Sequence, residues 1–136
     1  MTVSENGETP LLKCDYLVVG SGTAGMSFVD TILSEESTAT VILVDRNKKP
    51  GGHWNHAYPY VKLHQPSCYY GVNSLKLGKN RNRKTGNEMF DVKDRATGAE
   101  ILKYFQTACD NFVATGRVRC FFDAEYKSEK ATTKTT

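Results

Sequence analysis

The sequence predicts an α/β fold with a parallel sheet, and three observations carry that prediction. A near-continuous apolar run over Lys13 to Val19 reads as a strand covered on both faces. Gly20, Gly22 and Gly25 follow it directly and lead into a helical pattern over Thr23 to Ser34, with Ala24, Phe28, Ile32 and Leu33 at helical spacing. A second apolar run, Thr40 to Asp45, then ends on an acid, and a right-handed crossover would lay it parallel and adjacent to the first. In that context a GxGxxG spacing, weak alone, marks a Rossmann-like βαβ dinucleotide-binding domain.

Each residue of the motif has a physical task. Gly20 allows the tight turn from strand to helix, Gly22 lets backbone approach a pyrophosphate, and Gly25 lets the helix pack close to the strand. The helix that opens with Thr23 and Ala24 offers its first free N–H groups and the positive end of its dipole, so two phosphate charges need no dedicated Lys or Arg. Asp45 stands about twenty residues beyond Gly25, where an acid accepts hydrogen bonds from ribose hydroxyls. Arg46 beside it keeps a 2′-phosphate, and so NADP, open.

From Arg46 to Leu77 periodicity fades, and Gly51, Gly52, Trp54, Pro59, His64, Pro66, Tyr69 and Tyr70 give a long aromatic loop of the kind that is usually functional. Trp54, Tyr58, Tyr60, Tyr69 and Tyr70 could stack on a planar ligand or simply pack the loop. Between Lys76 and Lys84 five of nine residues are basic (Lys76, Lys79, Arg81, Arg83 and Lys84), which reads first as a solvated turn. Thr97 and Glu100 have capping-box spacing, and Ile101, Leu102, Phe105, Cys109 and Phe112 form the stripe of a second helix that stops before Gly116. Val118, Cys120 and Phe122 alternate with Arg119 and Phe121 as in a strand. Residues 1–12 read as a polar lead-in and 127–136 as a disordered tail, leaving 13–126 as the domain.

Composition bounds the rest. The 136 residues, 39% hydrophobic and 24% charged, fit one globular domain that buries about two thirds of its unfolded surface. A net charge of +3 is too small to imply nucleic acid. No apolar run reaches the roughly 18 residues of a membrane helix. Met1 to Pro10 carries two Glu and no basic residue, unlike a signal peptide, so a cytoplasmic location is the default. Cys14, Cys68, Cys109 and Cys120 lie far apart in sequence with no CxxC pair, which reads as idle or buried thiols. His53 and His56 lack the further ligands of a closed metal site, so no metal is expected. The TyrxxxLys spacing of Tyr58 and Lys62 contains Pro59, which does not suit a helix interior.

The segment Asp45 to Trp54, Asp-Arg-Asn-Lys-Lys-Pro-Gly-Gly-His-Trp, together with Asp15 to Gly25, resembles FAD-dependent oxidoreductases of the flavin-containing monooxygenase kind. The resemblance runs from about Cys14 to Tyr126 and implies that Gly20, Gly22 and Gly25 bind the FAD pyrophosphate. It places Asp45 on the adenosine ribose and Gly52 and Trp54 on the path to the flavin, with His53 between them also among the cofactor-binding residues. His64 and Gln65, inside Leu-His-Gln-Pro-Ser, are carried over by position as flavin-proximal. Such enzymes more often carry Glu at the position of Asp45. They continue into a second GxGxxG for NADPH and a late segment that closes the FAD site, neither of which occurs in this chain. The expectation is therefore an incomplete, truncated or spliced form, with a protein partner covering the exposed sheet edge. An NAD(P)-binding dehydrogenase domain and a non-catalytic or partner-dependent binding module remain the alternatives.

Overall fold

The computed structural model describes residues 11–78 and 92–130. Most of the lead-in, the end of the tail and, from the basic run, Lys79, Arg81, Arg83 and Lys84 lie outside the described residues. The elements run β1 (Tyr16–Val19), α1 (Thr23–Glu35), β2 (Val41–Val44), α2 (Gly98–Ala114) and β3 (Val118–Phe121). The strands form one parallel sheet in the order β1-β2-β3, with Tyr16 opposite Val41 and Val41 opposite Val118.

β1 is shorter than the apolar run because Asp15 turns its carboxylate to accept from the Thr40 backbone N–H (2.8 Å) and hydroxyl (2.7 Å). That clamp fixes the register at which β1 meets β2.

Both crossovers run the same way, so both helices lie on one face of the sheet. Val18, Val41, Leu43 and Val118 are buried there with Met26 and Val29 of α1 and Ile101, Phe105 and Phe112 of α2. Among the described residues the opposite face of β1 is open, a correction to the expectation of a strand covered on both sides. Leu17, Val19 and Phe121 are 51%, 57% and 37% exposed, flanking Ile42 and Val44.

A second correction concerns which side of α1 is inside. Ala24 and Phe28 are exposed, and the buried residues are Met26, Val29 and Asp30. An apolar stripe cannot include Asp30, yet Asp30 is buried because it accepts from the backbone N–H groups of Asn73 (3.0 Å) and Ser74 (3.2 Å) and from the Ser74 hydroxyl. It ties the aromatic loop to the helix.

Side chains satisfy one end of each helix. α2 begins in the expected capping box, with Thr97 accepting from the Glu100 N–H and the Glu100 carboxylate accepting from the Thr97 N–H. At the other end of the fold, Arg117 donates to the α1 carbonyls of Leu33 (2.7 Å) and, just past the helix, Glu36 (2.5 Å). Arg117 thereby satisfies carbonyls that a helix C-terminus leaves open and places a cation at its negative end. Replacing it, Arg117→Ala, is expected to lower stability by about 1–2 kcal/mol, read as a lower urea midpoint with an unchanged slope.

The long loop contains only two single-turn 3-10 segments, Gly52–His56 and Ser67–Tyr69, and a one-residue bridge from Lys62 to Thr97. It is nevertheless anchored. Tyr104 of α2 donates its hydroxyl to the Leu75 carbonyl (2.5 Å) and accepts from the Val72 N–H (2.8 Å). Among the described residues no helix is long and apolar enough to cross a membrane.

Candidate dinucleotide site

The three parallel strands deliver Val19, Val44 and Phe121 to the same edge of the sheet, and ligands of open α/β sheets bind outside such carboxyl ends. A cavity of about 490 Å³ opens there. Val19, Gly20 and Gly22 form one side, Val44 to Asn47 the floor, and Gly52, His53 and His56 the second side. Ala124, Glu125 and Tyr126, just beyond β3, close the far wall.

Gly20 takes φ +99 and donates its N–H to the Val44 carbonyl (2.8 Å), so the turn that opens the site is a left-handed glycine, as its task requires. The next glycines bring two backbones together. Gly51 N–H donates to the Ser21 carbonyl (2.9 Å), and a Cβ on Gly52 would stand 2.8 Å from the Gly22 Cα. Gly22 is the N-cap of α1, no side chain caps that terminus, and no acid lies in the first turn. The first amides and the positive end of α1 thus have no capping side chain.

Asp45 is 5% exposed, and its carboxylate is already engaged. One oxygen accepts from the Ser21 N–H (2.6 Å) and hydroxyl (2.5 Å), the other from the Asn47 N–H (2.7 Å). Burial pushes this carboxyl up, but the hydrogen bonds from Ser21 and Asn47 outweigh it and hold the group below the usual carboxylate value. Asp45 therefore shapes the glycine turn from beneath; the oxygen facing Asn47 has a lone pair left for a hydroxyl.

Of the sequence-predicted residues, the structure gathers Gly20, Gly22, Asp45, Arg46, Gly52 and His53 around the cavity. Gly25 supports them from behind, packed on the Gly20 carbonyl. Thr23, Ala24, Trp54, His64 and Gln65 do not line the cavity. The Thr23 hydroxyl sits 2.5 Å from the Tyr70 hydroxyl, which also accepts from the Trp54 indole N–H (2.8 Å). That chain faces the core, where Trp54 is 8% exposed and Tyr70 packs edge-on to Phe105. His64, Gln65, Tyr58, Tyr60 and Tyr69 are exposed, and Tyr58 and Tyr60 lie parallel on each other at 5.6 Å. The open choice between stacking on a ligand and packing the loop thus divides: Trp54 and Tyr70 pack.

Sequence reasoning missed Asn47, Ala124, Glu125 and Tyr126, and it weighed His56 only as a metal ligand, a role it set aside. His56 Nε2 instead lies 2.8 Å from Asn47 Oδ1. The far wall is fastened by Asp123 and Ala124 N–H groups donating to the Asn47 and Asp45 carbonyls, both at 3.0 Å, through a left-handed Asp123 (φ 53). The rule that ligands sit beyond parallel strand ends was the available signal for it.

No protein-family model matches the chain. Uncharacterized proteins of Mycobacterium bovis and Mycobacterium tuberculosis are 45% identical to it over 121 residues, which is 88% of this chain and 22% of theirs. The chain thus spans about a fifth of the length of these curated relatives. Among solved structures, an oxidized steroid monooxygenase bound to NADP superposes with TM-score 0.55 at 26% identity, over 81% of this chain and 19% of that one. A flavin-containing monooxygenase from Stenotrophomonas maltophilia gives 0.53 at 21%, over 78% and 28%. OTEMO in complex with FAD and NADP gives 0.53 at 23%, over 81% and 19%. The fold is that of a segment of the flavin monooxygenases: an α/β, Rossmann-like unit with a parallel sheet.

Proposed function

We propose that this chain is the FAD-binding portion of a flavoprotein oxidoreductase of the monooxygenase kind. The single observation that carries the reading is the uncapped α1 N-terminus opening on a cavity whose backbone walls, Gly22 and Gly52, meet with no room for a side chain on Gly52. A dinucleotide pyrophosphate matches that cradle in charge and in its need for close backbone approach. The similarity to OTEMO, whose structure is a complex with FAD and NADP, supports the choice of flavin.

In this reading Gly20 and Gly22 hold the pyrophosphate before the N-terminal turn of α1 that Thr23 and Ala24 open, Gly25 keeps that turn close to β1 from behind, and Asp45 with Arg46 receives the adenosine ribose. Gly52 and His53 flank the path toward the flavin, Trp54 braces it from the core, and His64 and Gln65 stand nearer the ring. Bound flavin would supply the redox chemistry, and the protein's part is binding, orientation and electrostatics. The exposed row of Leu17, Val19 and Phe121 is then covered by further protein, from the same polypeptide or a partner.

NADP in the same cavity is the second reading, favoured by Arg46 at the wall beside Asp45. The visible spectrum of the purified chain, after incubation with FAD and desalting, separates the two. A retained flavin band and a melting midpoint that climbs with FAD are expected; ligand at 100 times Kd adds about 2.7 kcal/mol. Gly22→Val, which pushes a branched side chain toward the phosphate position, should abolish both. A midpoint raised by NADP alone would favour the second reading, and no response to either would overturn both.

A further inference from the structure

Outside the cavity, one pair of nucleophilic side chains has no part in the dinucleotide reading. Cys109 on the buried side of α2 and Cys120 in the middle of β3 are separated by a turn in sequence, yet their sulfurs lie 3.2 Å apart as free thiols. The sequence, with its four cysteines far apart and read as idle or buried thiols, gave no sign that two of them meet. The α2–β3 connection folds the helix back over the strand it feeds, which sets position 109 above position 120.

We infer that Cys109 and Cys120 are a redox-modifiable pair, converted by hydrogen peroxide to an intramolecular disulfide that staples α2 to β3. Cys109 is 2% exposed and Cys120 is half-buried, so Cys120 is the sulfur an oxidant reaches. The hydrogen bond from Cys109 draws the Cys120 thiol down, favouring thiolate there, while the same bond and burial push Cys109 up. The Cys120 thiolate attacks the peroxide, breaking its O–O bond, and becomes a sulfenic acid as one oxygen leaves as water. The Cys109 sulfur then attacks the sulfenic sulfur, its proton going to the departing hydroxyl as a second water. The two thiols are oxidised by two electrons and the peroxide is reduced to two waters. Because β3 runs directly into Asp123 to Tyr126, the staple lies behind the far wall of the cavity.

The test treats the full chain with hydrogen peroxide, alkylates the remaining thiols and digests with trypsin. The expected result is a single species linking Tyr104–Arg117 to Cys120–Lys127, two hydrogens lighter than the separate peptides and split by dithiothreitol, with alkylatable thiols falling from four to two. Cys14 and Cys68 serve as internal references. In Cys109→Ser the cross-link should vanish and Cys120 should accumulate as a sulfenic acid trapped by dimedone. Alkylation of Cys109 and Cys120 as complete as that of Cys14, or a link joining two chains, would overturn the inference.

Discussion

Gly25→Ala is expected to unfold the domain, or to cost it about 3 kcal/mol or more, the upper end of what overpacking does. A Cβ at this position would sit against the Gly20 carbonyl oxygen far inside contact distance, with the Gly20 carbonyl carbon at 3.1 Å and Val18 Cγ1 at 3.4 Å. Nothing nearby can yield cheaply. The Gly20 N–H is bound to Val44, the residue is held at φ +99, and Val18 belongs to the core beneath the helix. Relief would require lifting α1 off β1, which exposes Met26 and Val29 and releases the loop that Asp30 holds. Against a total stability of about 5–15 kcal/mol that is a large fraction. Gly116→Ala is the reference: its added Cβ meets nothing within 4 Å, although φ is +75, so only the local backbone preference is lost. Urea unfolding followed by circular dichroism should show a steep loss for Gly25→Ala and a shift of about 1–2 kcal/mol for Gly116→Ala. Equal midpoints for Gly25→Ala and the wild type would refute the close helix–strand approach.

Asp45→Ala should follow it in size, at about 3 kcal/mol, because it strands the Ser21 N–H, the Ser21 hydroxyl and the Asn47 N–H together in a buried place. The same residue sets an acid limit. Its folded value lies below the unfolded one, so the unfolded chain takes up the proton first as pH falls. The stabilisation is therefore fully present above the ordinary carboxylate value near 3.8 and is lost as pH drops through the lowered folded value. Stability measured between neutral pH and pH 3 should fall in the wild type, and more shallowly in Asp45→Asn, which has no charge to lose. Parallel slopes would mean that Asp45 is not the group responsible. Asp15, held low by its hydrogen bonds to Thr40, remains in both proteins and contributes the residual slope.

The parts of this molecule that sequence reveals are those where one backbone position forces one residue type. Gly20 and Gly25 are demanded by a left-handed turn and a helix–strand contact within a short span, and the Thr97 and Glu100 box is closed within a single helical turn. Asp45 was legible for its position but not for its occupation by Ser21, since hydrogen-bond partners across the fold leave no periodic trace. The buried side of α1 was misread for the same reason: a polar Asp30 is inside because of amides more than forty residues away. Trp54 stood open between stacking on a ligand and packing the loop, because sequence does not show that its indole N–H donates to the Tyr70 hydroxyl. The far wall of the cavity depends on strand order, which is a property of the assembled sheet and of no local segment.

The contact between Gly22 and Gly52 bears on how this sequence is free to change over time. Because a Cβ on Gly52 would strike the Gly22 backbone itself, no alteration of the Gly22 side chain could make room for it. Each step toward a different residue at Gly52 passes through a displaced loop, whatever the other position carries. The two segments, thirty residues apart, are locked into a joint inheritance in which the loop after β2 retains its glycine for as long as α1 starts where it does.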